Sequence, residues 1–162
     1  MKKLLNIGMI FTFVFGLIFA VSPAEKAFAL SYDGSNPVST GCAKDAVTKS
    51  YSYIVDRYDN AYGKVELKWS AKCRTSWGKI TLYHAAPYDK GSYYALATVW
   101  SYNSNGTTLR KSYNCADRGG NGVIMKGQTS CYTPQVYNGA GYIAKARGII
   151  NWGIASGTTN RY

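Results

Sequence analysis

Downstream of residue 46, apolar and polar residues alternate one by one in run after run, and no stretch spaces its apolar residues as a helix would. Such a pattern confines the chain to extended strands whose side chains point alternately to opposite faces. From Val47 to Val55, the residues Val47, Tyr51, Tyr53 and Val55 fall on one side, with Ser50, Ser52 and Asp56 on the other. Lys64 to Ser70 puts Val65, Leu67 and Trp69 inward and Lys64, Glu66 and Lys68 outward, and Gly78 to His84 repeats the pattern with Ile80 and Leu82 inward. Tyr93 to Tyr102 is apolar on both sides (Tyr94, Leu96, Trp100; Ala95, Ala97, Val99), as expected of a central strand covered on both faces.

Three Asn-Gly pairs, Asn105-Gly106, Asn121-Gly122 and Asn138-Gly139, punctuate the second half. Asn-Gly between alternating runs signals a tight hairpin, because a type I′ turn needs positive φ at both central positions. The expected partners are Tyr93–Tyr102 with Thr107–Tyr113, Asn114–Ala116 with Val123–Lys126, and Cys131–Tyr137 with Gly141–Trp152. In the last run Tyr142, Ala144, Ala146, Ile150 and Trp152 share a face, away from Lys145 and Arg147. Pro134 cannot donate to a ladder, which places its strand at an edge or a bulge. Seven or eight short strands at this spacing give an all-β fold, a small antiparallel sandwich or barrel.

Lys2 and Lys3, an apolar run from Leu4 to Val21 and then Ala27-Phe28-Ala29 follow the order of a secretory leader. Cleavage is expected after Ala29, leaving one secreted domain from residue 30 to residue 162. All five Phe lie within the leader, whereas all 15 Tyr and all four Trp follow it, so every aromatic of the remaining chain carries a polar handle. Four cysteines follow as well: Cys42, Cys73, Cys115 and Cys131. An even count in an exported chain implies two disulfides, and the close Cys pairs that zinc favours are absent. Cys42–Cys73 and Cys115–Cys131 are the favoured pairings, since each brackets a reversal of the chain.

Removing Lys2, Lys3, Lys26 and Glu25 from 19 basic and eight acidic residues leaves 16 against seven, a net charge of about +9. A field of that size attracts anionic polymers, and it also keeps a small protein soluble. Catalytic sets are scarce. His84 is the single histidine. If Val65, Leu67 and Trp69 share a face with Ile80 and Leu82, for instance through Leu67–Leu82 and Trp69–Ile80, then His84 falls opposite Val65 and Glu66 opposite Tyr83, on opposite faces. A Glu66/His84 acid–base pair is thereby disfavoured. Gly139-Ala140-Gly141-Tyr142-Ile143-Ala144 spells a dinucleotide fingerprint, but no βαβ unit surrounds it. Asp33-Gly34-Ser35-Asn36 and Asp117-Arg118-Gly119-Gly120-Asn121 lack the closing carboxylate of tight calcium loops and read as turns, as does the sequon Asn105-Gly106-Thr107. No small-molecule cofactor or metal is expected.

What remains is a surface. Lys68, Lys79, Thr81 and Tyr83 share the outer face of the 64–84 hairpin, with Arg74 and Trp77 in its connection. Cations interleaved with rings suit a sugar or phosphate polymer, so Lys68, Arg74, Trp77, Lys79 and Tyr83 form the candidate binding surface.

Several stretches read together resemble a known family. They are Tyr32-Asp33-Gly34-Ser35-Asn36-Pro37, Thr40-Gly41-Cys42-Ala43-Lys44-Asp45-Ala46, Val65-Glu66-Leu67-Lys68-Trp69-Ser70 and Cys73-Arg74-Thr75-Ser76-Trp77-Gly78-Lys79. Their order and spacing are similar to those of the YjfA-like secreted bacterial proteins, a domain of unknown function. The resemblance implies that Cys42 and Cys73 belong to a shared framework, and it transfers no catalytic residue. The functional expectation is a monomeric, non-enzymatic binding or structural module for anionic cell-wall polymer or polysaccharide at the cell exterior. The alternatives are a secreted enzyme or toxin such as a nuclease, which alone would engage nucleic acid, and a protease inhibitor acting through the Asn114–Cys131 loop.

Overall fold

The computed structural model describes residues 31–88, 91 and 93–162, apart from the side chain of Trp152. The expected leader at 1–29 lies outside the described residues, as does the Trp152 ring assigned to the last strand's inner face. Nine strands are present among the described residues: β1 (Val47–Val55), β2 (Ala61–Ser70), β3 (Thr75–Leu82), β4 (Ala95–Asn103), β5 (Leu109–Asn114), β6 (Ser130–Tyr132), β7 (Val136–Tyr137), β8 (Tyr142–Ile150) and β9 (Ala155–Thr158). They form one antiparallel sheet in the order β5-β4-β8-β9-β1-β2-β3-β6, with β7 also on β3. The sheet curls until β3 packs across the interior on β4 and β8, giving a nearly closed barrel. Its two edges, β5 and β6, meet at a seam stapled by the Cys115–Cys131 disulfide.

The interior divides by side-chain size. Ile54, Val65, Leu67, Ile80 and Leu82 come from β1, β2 and β3, whereas β4 and β8 offer mostly small residues, Ala95, Ala97, Ala144 and Ala146, beside Val99 and Ile150. Small residues on one wall let the other approach. A Cβ on Gly148 would stand 2.7 Å from Ile54 Cδ1 and 3.1 Å from Val65 Cβ. Large side chains against Ala and Gly fill the interior without aromatic rings among its buried residues.

Outside the barrel, residues 31–46 lie over one end of β3. There Cys42 and Cys73 join in the second disulfide, and Trp77 packs with them against Tyr32, Ala43, Ala46 and Tyr132. The segment is held by Asp33, whose carboxylate accepts from both terminal nitrogens of Arg110 and from the Tyr137 N–H. Buried Gln135 donates to the hydroxyls of Ser35 and Thr40 and accepts from Thr75. Both cysteine pairings favoured by local geometry are therefore present, and the expected all-β fold takes the barrel form.

Several local expectations need correction. In β1 a bulge between Thr48 and Ser50 changes the phase, so Ile54 is buried while Tyr51 and Tyr53 face out. In the β2–β3 hairpin the parity is as expected, but the register is Val65↔Ile80 and Leu67↔Gly78, which sets Glu66 opposite Lys79 rather than Tyr83. The outer side chains of β4 (Leu96, Thr98, Trp100 and Tyr102) are half-buried rather than covered, with Lys145 Nζ 5.3 Å from the centroids of both the Trp100 and Tyr102 rings.

Of the three Asn-Gly pairs, only Asn105-Gly106 closes a hairpin, between β4 and β5. Its φ is positive at Gly106 alone, because the Asn105 side chain instead accepts from the N–H groups of Thr107 and Thr108. Asn121-Gly122 lies in the disulfide-braced loop, where Tyr132 N–H donates to Asn121 Oδ1. Asn138 is buried on Ser76, and β7 pairs with β3 instead of β8. Pro134 falls in the gap between β6 and β7, where the sheet edge is interrupted.

Candidate functional site

The outer face of β1, β2 and β3 carries a set of rings and cations that the interior does not use. The backbone register lines them up in rows. One row runs Tyr51, Glu66, Lys79, Tyr132 and the next runs Tyr53, Lys64, Thr81, Ser130. Adjacent strands lie about 4.8 Å apart, so three strands make a platform about 10 Å wide. Tyr51 and Tyr53 are 58% and 53% exposed, and their rings meet edge to face at 5.7 Å. Tyr83, just beyond β3, is also exposed.

Glu66 is the carboxylate at the centre of this face, and its charge is offset. Thr48 donates to its Oε1 at 2.9 Å, Lys64 Nζ lies 3.6 Å from the same oxygen, and Lys79 stands opposite in register. Lys68 Nζ in turn donates to Thr48 Oγ1 at 2.8 Å. Three lysines against one carboxylate leave the face positive, and long lysine stems beside phenol rings let the charges stay in water.

The five residues expected to form one surface do not stay together. Lys68, Lys79 and Tyr83 lie on this face. Trp77 belongs to β3 rather than to the connection, and at 4% exposure it is enclosed by the Cys42–Cys73 cluster. The connection is only residues 71–74, too short to hold an indole away from the sheet. Arg74 sits in that turn with φ 53 and lines a different cavity, beside Trp69. In exchange, the bulge adds Tyr51 and Tyr53 beside Lys64, which the alternation already placed outward. The signal was present in the sequence: Ile54 is out of phase with the two tyrosines, and one inserted residue resolves the conflict.

The turn that carries Arg74 is braced by Asp45. Its carboxylate accepts from Ser70 Oγ at 2.7 Å and from Lys72 N–H at 3.0 Å, while Ser70 Oγ accepts from Cys73 N–H. Burial alone would raise the Asp45 carboxyl, but these bonds outweigh it and hold the group below its ordinary range.

His84 is exposed at the opposite end of the barrel. There a cavity of about 330 Å³ is lined by His84, Ala61, Tyr62, Leu82, Tyr94 and Ile150. Tyr62 donates to Asp56, a bond that raises its phenol above the ordinary value, and burial does the same for Tyr94. Glu66 and His84 are not brought together, since Glu66 is engaged with Thr48 and Lys64 in the middle of the outer face. Among the described residues no group of three or more His, Cys, Asp or Glu is placed to hold a metal ion, and no helix is long and apolar enough to cross a membrane. The Gly139-Ala140-Gly141 run is a loop between β7 and β8 instead of a strand-to-helix turn.

Residues 30–146 match the family described as "Protein of unknown function (DUF2690)". The chain is 39% identical over 139 residues to "Uncharacterized protein YjfA" of Bacillus subtilis (strain 168), an alignment covering 85% of this chain and 83% of that one. No solved structure matches it.

Proposed function

From a chain that belongs to the DUF2690 family of unknown function, no activity can be carried over, and we propose from the surface itself that this protein is a secreted, non-enzymatic module that binds anionic or glycan polymers at the cell exterior. One observation carries the reading: the β1–β2–β3 face exposes Tyr51 and Tyr53 beside Lys64 and Lys79, although the fold uses neither ring for its core. Phenol rings in water offer stacking platforms to sugar rings, and interleaved ammonium groups offer charge to phosphate or carboxylate. An open outer face several strands wide suits a chain laid across it better than a small molecule. Two disulfides and the apolar leader expected at the N-terminus support an oxidising location.

The test is retention on purified cell wall, whole and stripped of its anionic polymer. Wild-type protein is expected to be held by whole wall and held less by stripped wall. Tyr51→Ala/Tyr53→Ala should lose retention while unfolding at the same temperature, because exposed positions usually change stability by less than about 0.5 kcal/mol. Negligible and equal retention on both walls ends the reading. Trp77→Ala would report on the fold, not on the site.

The enzyme alternative is addressed by incubating the protein with RNA and DNA, with His84→Ala as the control. The inhibitor alternative needs a projecting loop. Ile124 in the middle of that loop is fully buried and exchanges backbone bonds with Ala95, which weighs against it.

A further inference from the structure

The cavity beside His84 lies at one end of the barrel, and barrel mouths are a preferred place for small-molecule sites. Its volume of about 330 Å³ stands at the lower end of the roughly 300–1,000 Å³ that such sites occupy. Its floor is the interior itself: Leu82, at the end of β3, and Ile150, at the end of β8, are 5% and 2% exposed and belong to the main apolar cluster. Ala61, Ala85 and Pro87 carry the apolar lining up to solvent, where all three are exposed.

Hydrogen bonds on both sides fix these walls. Ala86 N–H donates to the Gln128 carbonyl and the Ala86 carbonyl accepts from Gly127 N–H, each at 2.9 Å, which pins the segment that carries Ala85 and Pro87. Asn151, at φ 49, donates its backbone N–H to the Tyr94 carbonyl at 2.7 Å and its side-chain Nδ2 to the Tyr88 hydroxyl at 3.1 Å. A site already shaped costs a ligand less to order. The two lining tyrosines are wall and not free platforms, since Tyr62 donates its hydroxyl to Asp56 and the Tyr94 ring meets Tyr88 edge to face at 5.6 Å. What the fold leaves unused here is polar. Among the described residues, neither the His84 imidazole nor the Tyr94 hydroxyl has a hydrogen-bond partner, and His84 is exposed.

These walls select an uncharged ligand. Among the described residues no Lys, Arg, Asp or Glu lines the cavity, so an ionised group entering it would lose water and gain no counter-charge. Aliphatic side chains, a proline and phenol rings suit a flat ring, which packs offset or edge to face against them. An imidazole and a phenol each offer a donor and an acceptor. A hydroxyl answers both, whereas a carboxylate only accepts and an ammonium only donates.

We propose that this cavity is a binding site for a small uncharged phenol, its ring over Leu82 and Ile150 and its hydroxyl between His84 and Tyr94. The site goes beyond polymer binding at the β1–β2–β3 face and does not depend on it. A phenol can occupy the cavity whether or not cell wall is retained, and wall retention through Tyr51 and Tyr53 does not require the cavity.

The experiment is a titration of the purified, tag-free, oxidised protein with p-cresol, benzoate, benzylamine and glucose. His84 is the single histidine, so its imidazole C–H resonance identifies itself and reports on the cavity. The cresol is expected to shift that resonance saturably and to bind at least about tenfold more tightly than either charged ring or the sugar. Tyr94→Phe keeps the ring and removes the hydroxyl, which should weaken the cresol by about three- to tenfold, the worth of one neutral hydrogen bond. Ala61→Leu, at an exposed position on the lining, should fill the cavity and abolish the shift while unfolding near the wild-type temperature. Tyr51→Ala/Tyr53→Ala should leave the titration unchanged.

Four results would overturn the assignment. One is a lack of saturation by p-cresol up to about 20 mM, which leaves no useful affinity. Another is benzoate, benzylamine or glucose binding as tightly as the cresol, which would make the cavity a site for charge or for any hydroxyl. The third is an Ala61→Leu variant that folds and still responds, which would place the ring elsewhere on the protein. The last is Tyr94→Phe binding the cresol as tightly as wild type, which would leave an apolar hollow that does not recognise the hydroxyl.

Discussion

Asp33→Ala should be the most damaging single substitution outside the barrel interior. The Asp33 and Arg110 side chains are only 12% and 15% exposed. Removing the carboxylate strands a guanidinium whose remaining hydrogen-bond acceptors are Ser101 Oγ at 3.1 Å and the Tyr137 carbonyl at 3.4 Å, with the Tyr142 ring 5.2 Å away, and it leaves the Tyr137 N–H without its acceptor. Breaking a buried ion pair on one side costs about 3–5 kcal/mol. The two surviving acceptors place this case near the lower end, about 3 kcal/mol. For a domain of roughly 130 residues that is a fall of about 10 °C in Tm.

Urea and thermal unfolding of oxidised protein at fixed pH and salt measure the effect. Asp33→Ala/Arg110→Met should recover at least about 1 kcal/mol of the loss, because deleting both charges leaves none unpaired. A cost below about 1 kcal/mol for Asp33→Ala would mean that the pair is solvated in solution and the segment is held by other contacts. A double variant equal to the sum of the singles would refute the coupling.

Gly148→Ala should cost about 1–3 kcal/mol by overpacking, since its methyl would meet Ile54 and Val65, and Ile54→Val in the same chain should return part of it; chemical denaturation reads both. Replacing Cys115 and Cys131 by Ser releases a loop of 16 residues and should cost about 3 kcal/mol, against nearly 4 kcal/mol for the 31-residue separation of Cys42 and Cys73, as compared by urea midpoints. Asp45 and Asp56 both have carboxyls below the ordinary value, the first against its burial and the second chiefly through the Asn60 side chain. Groups depressed in the folded state stabilise it above the unfolded value of 3.8 and lose that contribution as pH falls towards the folded one. Tm should therefore decline below about pH 4, and Asp45→Asn should flatten that decline.

What could be read from the chain depended on whether local patterning or tertiary contact decided the matter. The alternation in β2, β3 and β8 was legible because each buries one face against the same interior. The β1 faces were inverted because a one-residue bulge shifts the phase, and its only mark in the sequence is Ile54 standing out of phase with Tyr51 and Tyr53, so the two tyrosines looked like core residues. β9 passed unnoticed since Ala155-Ser156-Gly157-Thr158 has no apolar alternation. It is a strand because Gly157 lets it press against Tyr53, where a Cβ would stand 2.2 Å from the carbonyl oxygen. Asn138-Gly139 carried a true turn signal, overridden when Ser76 took the Asn138 side chain into the interior. The candidate site suffered the same division. Lysine positions followed from parity, whereas the burial of Trp77 came from residues more than thirty positions earlier, through the Cys42–Cys73 bridge.

The size division inside the barrel bears on function through what it leaves outside. Aliphatic side chains from β1, β2 and β3 close on β4 and β8, where Ala and Gly sit beside Val99 and Ile150, and the seam is held covalently. Rings are then scarcely needed within: Trp77 and Tyr137 alone among the described aromatic residues are fully enclosed. Had the interior required rings for volume, selection for stability would account for tyrosine anywhere near it. A barrel filled by aliphatics makes no such demand, and at solvent-facing β positions Thr has a strand preference comparable to that of Tyr. Tyr51, Tyr53 and Tyr83 stand exposed along one face with lysines between them, a composition that the volume of the interior does not call for and that the proposed ring-stacking role would account for. If the rings served only as strand formers, Thr at 51 and 53 would preserve both Tm and wall retention; with a binding role, Tm stays and retention goes.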